Sequence, residues 1–77
     1  MLNELKLFRA DVIDSQTKEQ TIWTVVETDY DSAFKMFIEE ANRTWVRYEY
    51  YFDEIEDEDI IQNFLEYYDE VVAGIYE

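Results

Sequence analysis

Apolar and charged side chains alternate along residues 5–13: Phe8, Ala10 and Val12 fall to one side, Arg9 and Asp11 to the other. A period of two is the mark of a half-buried strand. The polar stretch 14–20 is a surface connection, longer than a tight hairpin turn. Residues 21–28 are β-branched and aromatic throughout, which predicts a second strand paired to the first as an antiparallel hairpin. The period then lengthens. Phe34, Phe37, Ile38 and Ala41 recur at helical spacing, and Thr28, Asp29 and Asp31 are all N-cap candidates, so a helix is predicted over 31–42. Over 44–52 alternation returns, with Val46, Tyr48, Tyr50 and Phe52 on one face and Trp45, Arg47, Glu49 and Tyr51 on the other. An acidic stretch follows, ending in an N-cap at Asp57 or Asp59. Ile60, Ile61, Phe64, Leu65, Tyr68, Val71, Val72 and Ile75 then extend one apolar stripe, which predicts a last helix over 58–75.

These elements predict an α+β fold: a three-stranded antiparallel sheet with two helices on one face, in the order β-β-α-β-α. A right-handed crossover from the second strand to the third leaves the first in the centre. On this arrangement Trp23, Trp45 and Tyr51 lie together on the open side of the sheet.

Composition narrows the chemistry more than the fold. Seventy-seven residues make one compact domain over 1–77, near the size where a core is modest but sufficient. Aromatic residues are 18% of the chain, with no Pro and one Gly, which excludes an acidic disordered tail or a linker. There is neither Cys nor His, so thiol nucleophiles, disulfides, thiolate and imidazole metal sites and the usual general base are all missing. The first residues lack the basic-then-apolar layout of a signal peptide, and no run is long enough to span a membrane, so the expected location is cytoplasmic.

Charge alters the picture most. The net charge is −14, where solubility of a small domain asks for about 2–8. It is unevenly placed. Up to Arg47 nine acids face six bases, a net of −3; from Tyr48 to Glu77 there are eleven acids and no base. Such a field repels nucleic acid and anionic membranes, so neither is an expected partner; the expected partner is a basic protein.

The acidic run does not form a recognisable metal loop. An EF-hand needs oxygen ligands at positions 1, 3 and 5 with Gly at 6. Counted from Asp53, Ile55 and Glu58 occupy positions 3 and 6; counted from Asp57, Ile61 occupies position 5. No metal and no cofactor is expected. The only serines are Ser15 and Ser32, and the sole glycine is Gly74, so no nucleophilic pair or phosphate loop supports the carboxylates; the chain is not expected to be an enzyme.

What remains is a binding surface. The predicted partner-binding residues are Glu49, Asp53, Glu54, Glu56, Asp57, Glu58 and Asp59, with Trp45 and Tyr51 beside them. Clustered carboxylates next to Trp and Tyr suit an arginine-rich partner through ion pairs and cation–π contacts. In size, acidity, aromatic content and the run Asp53-Glu54-Ile55-Glu56-Asp57-Glu58-Asp59, the chain resembles the small inhibitors that phages encode, the DNA-mimic anti-CRISPR and anti-restriction proteins. That resemblance implies a stoichiometric inhibitor in the host cytoplasm, seated on the nucleic-acid-binding surface of a basic host protein. The alternative is a small structural or assembly subunit, a homodimer or larger homo-oligomer joined through the aromatic sheet face, with charge serving solubility alone.

Overall fold

The structure, a computed structural model, describes residues 5–77. Strands β1 (Lys6–Asp14) and β2 (Gln20–Glu27) form the expected antiparallel hairpin, with Phe8 opposite Val25 and Ala10 opposite Trp23. Its turn is held by Asp14, whose side chain accepts the Gln16 N–H at 2.8 Å and whose carbonyl accepts the Lys18 N–H at 2.8 Å. Helix α1 (Tyr30–Thr44) begins at Asp29, whose carboxylate accepts the Ser32 N–H at 2.8 Å. Ala33, Phe37 and Ala41, four residues apart, form its buried line. Strand β3 (Tyr48–Glu54) pairs antiparallel with β1, with Phe52 opposite Ala10 and Tyr50 opposite Val12. Helix α2 (Glu58–Tyr67) and strand β4 (Gly74–Tyr76) complete the chain.

The three-stranded sheet of the sequence reading is corrected here. The sheet has four antiparallel strands in the order β3-β1-β2-β4, and the element order is β-β-α-β-α-β. β1 lies between β3 and β2 as expected, but β4 covers the far edge of β2, with Ile75 opposite Val25. The apolar stripe of 58–75 therefore serves two elements. Its helical part stops at Tyr67 because Tyr68 turns extended after donating its N–H to Phe64. Glu66, Asp69 and Glu70 with no base in the last turn oppose the helix dipole there. Gly74, at φ 156°, takes a backbone conformation that other residues rarely adopt. Val72, part of that apolar stripe, is 56% exposed. The Tyr76 hydroxyl folds back on the connection, donating to the Val72 carbonyl at 2.8 Å and accepting its N–H at 3.0 Å.

The helices are not on one face either. α1 packs on the face made by Phe8, Ala10, Val12, Trp23, Val25 and Phe52. Ile61, Phe64 and Leu65 of α2 pack with Leu7 and Val26, whose side chains alternate to the opposite face. α2 reaches only that end of the second face. The rest stays uncovered: Arg9 and Ile13 of β1, Ile22 of β2, and Glu49, Tyr51 and Asp53 of β3 are exposed there.

The start of β3 is the third correction. Residues 44–47 were expected in the strand, but α1 runs through Thr44, whose hydroxyl donates to the Glu40 carbonyl, and Trp45 caps the helix by donating its N–H to Ala41. Trp45 then turns towards the core of the first face, with its ring 5.1 Å from that of Trp23. Burial of two large rings outweighs the strand preference of Thr-Trp-Val. Val46 is left 84% exposed between the elements.

Candidate protein-binding surface

Strand alternation places Glu49, Tyr51 and Asp53 side by side on the uncovered face of β3, at successive steps of about 7 Å. Glu54 belongs to the other face and is half-buried at the strand's end. Ile55 turns into the small cluster under α2, which fixes the direction of the chain beyond it. Glu56, Asp57, Glu58 and Asp59 then lie exposed in the connection and first turn of α2.

These acids differ in how far they are already engaged. Asp57 is the α2 N-cap, accepting from the N–H groups of Asp59 at 2.9 Å and Ile60 at 3.4 Å. Glu58 and Asp59 in the first turn complement the helix dipole. Asp53 accepts the Glu54 N–H at 2.8 Å and the Tyr51 hydroxyl at 3.2 Å. The Asp53 charge, with that hydrogen bond, pushes the Tyr51 phenol above its ordinary value of 10.0. Among the described residues, Glu49, Glu54, Glu56 and Glu58 have no hydrogen-bond or ion-pair partner for their carboxylates.

The site is not base-free in space, as residues 48–77 are in sequence. Arg9 of β1 lies directly opposite Asp53 and is ion-paired to Asp11 at 3.2 Å. Asp11 in turn lies opposite Tyr51, and Ile13 opposite Glu49. Sequence reasoning missed these β1 residues. The alternation in β1 had marked Arg9 and Asp11 as outward, and the expected central position of β1 was the signal that they would border β3. Two predicted site residues lie off the open face, Glu54 at the end of β3 and Trp45 on the α1 side; Trp23, at 5% exposure, is buried there too. Of the three aromatics expected on the open face, Tyr51 alone is present, 60% exposed.

Depressions lined by described residues mark both faces. One, about 180 Å³, is lined by Asp11, Ile13, Glu49, Tyr50 and Tyr51 on the uncovered face. Another, about 340 Å³, is lined by Trp23, Met36, Glu40, Ile75 and Glu77 on the α1 side, where the buried Trp23 Nε1 has no hydrogen-bond partner among the described residues. Among the described residues no three acidic side chains are grouped to hold a metal ion, and no helix is long and apolar enough to cross a membrane. Compared with known proteins, the chain matches no family model, no curated protein and no solved structure.

Proposed function

We propose that this chain is an acidic binding protein that occupies the nucleic-acid-binding surface of a basic host protein, as a DNA mimic of the phage counter-defence type. The observation that carries the reading is continuity. Along the chain the outward carboxylates of β3 lead without a base into Glu56, Asp57, Glu58 and Asp59, and the cross-strand neighbour Arg9 is already engaged by Asp11, giving one negative ribbon across a strand, a connection and a helix end. Several of these carboxylates lack partners among the described residues, so their charge is free to attract a basic groove over a distance. The assembly reading is weaker, because Trp23 and Trp45 are withdrawn from the open face and a second copy brings a like-charged ribbon to the contact.

The test is competition. Glu54→Gln, Glu56→Gln, Asp57→Asn and Glu58→Gln are combined in one variant, with Asn at 57 because it also caps helices. The native protein is expected to displace labelled DNA or RNA from a basic nucleic-acid-binding partner in a salt-sensitive way, and the variant to bind that partner about tenfold more weakly or worse. Undiminished binding by a folded variant, or binding that leaves the nucleic acid in place, overturns the reading.

A further inference from the structure

We infer that the depression between β1 and β3 on the uncovered face is an anchor pocket for an arginine side chain of the partner. The inference rests on the reading above for the partner's basic character and goes beyond it in naming a residue type and a place. Two cross-strand pairs, Ile13 with Glu49 and Asp11 with Tyr51, line the pocket from adjacent rows of one sheet face, and Tyr50 between Glu49 and Tyr51 completes the lining. Side chains paired in this way lie about 5 Å apart. Tyr51 offers an exposed ring, held by its hydroxyl bond to Asp53, as a face for a guanidinium. Exposed Ile13 supplies apolar surface for the methylene stem of a long cation.

The carboxylates have different roles. Asp11 is already ion-paired to Arg9, whereas Glu49 has no such partner among the described residues. Glu49 therefore presents two oxygens to an incoming fork of N–H donors, while Asp11 adds field without having to reorient. Arginine suits the pocket better than lysine because a planar guanidinium stacks on a ring and pairs bidentately at once. Among the described residues no further strand pairs with the β3 edge beside the pocket, which leaves room for the partner's backbone. A second copy of this chain is disfavoured at the same edge by Glu49, Asp53 and Glu54.

The probe is N-acetyl-arginine methylamide, titrated into isotope-labelled protein, with the uncharged citrulline analogue and the lysine analogue as controls. Amide shifts are expected to concentrate at Ile13, Glu49 and Tyr51, to be absent with citrulline and to be weaker with lysine. Glu49→Gln and Tyr51→Ala, both at exposed positions, should each weaken arginine binding about two- to fivefold, while Tyr51→Phe keeps the ring and should bind nearly as well. Shifts confined to Glu56–Asp59, or the same response to arginine and citrulline, overturn the pocket. That result leaves the competition experiment untouched. Conversely, a partner that does not compete with nucleic acid overturns the mimic reading while a localised arginine response still defines the pocket.

Discussion

On the face covered by α1, Phe8, Val12, Val25 and Phe37 are completely buried and nine residues form one continuous core, whereas under α2 the buried set is Leu7, Val26 and Val71. Both helices show a clear apolar stripe, so amphipathicity does not account for the difference. Length and neighbours do. α1 has 15 residues and lies over rings from three elements; α2 has 10, buries none of its side chains fully and closes one end of the sheet. One face of the sheet therefore supplies most of the stability. The other is held at one end, and the rest of its surface is left open for contact.

The sharpest way to break this comparison is to truncate one ring on each side. Phe37→Ala removes contacts with Trp23, Tyr50 and Phe52 and should cost about 3–5 kcal/mol, enough to unfold a domain of this size or nearly so. Phe64→Ala, at a half-buried position, should cost about 1–2 kcal/mol and loosen α2 and β4 while the α1 core persists. Equal losses in chemical denaturation would mean that both helices clamp the sheet alike. A smaller effect concerns the α2 cap: Asp57→Ala should cost about 1 kcal/mol and Asp57→Asn almost nothing, as read from thermal melts. Smaller again, raising salt at neutral pH should stabilise the fold by about 1 kcal/mol or less, because repulsion along the ribbon is screened. A midpoint that falls with salt means that attractive pairs dominate instead.

The last test is a titration on the open face. The Tyr51 phenol is held above 10.0, first by the Asp53 charge, while Arg9 opposes the shift. A folded value raised above the unfolded one contributes stability that is fully present below about pH 10 and lost as pH rises through the folded value. Ultraviolet titration of Asp53→Asn should bring Tyr51 back towards 10.0, and Arg9→Ala should move it further up. No change in either variant removes Tyr51 from the Asp53 neighbourhood.

Much of this fold was legible because side-chain period and local chemistry agreed. The hairpin, the inward row Tyr48, Tyr50 and Phe52, and the start of α2 at Glu58 follow from alternation and capping. Failures came where one apolar pattern fits two structures. Val71, Val72 and Ile75 continue a helical stripe, yet they lie in a connection and a strand, and only the acids near the helix end and Gly74 hint at the break. Thr44-Trp45-Val46 alternates like a strand, yet Trp45 is drawn to Trp23 across the fold, a tertiary effect that local spacing does not contain. The wrong assignment of both helices to one face had the same origin. Leu7 shared with Arg9 and Asp11 the side taken as solvent, and α2 lands on it and on the neighbouring Val26. The acidic ribbon was visible as charge, while its pocket was not, because Ile13 and Asp11 come from a strand about 40 residues earlier.

The central place of β1 has a kinetic consequence. The β1–β2 hairpin closes a short loop and can form in about 1–10 μs, well before the remainder of the sheet. Pairing β3 with β1 brings Glu49 to Ile13 across a long stretch of chain, and such distant pairings are the slow part of folding. Growth of α1 within that stretch shortens the search, since 15 helical residues span only about 22 Å. The carboxylates of β3 are thus aligned only at the late, non-local step. On the proposed function, a partner that reads their alignment would find no match in the hairpin before β3 has paired with β1.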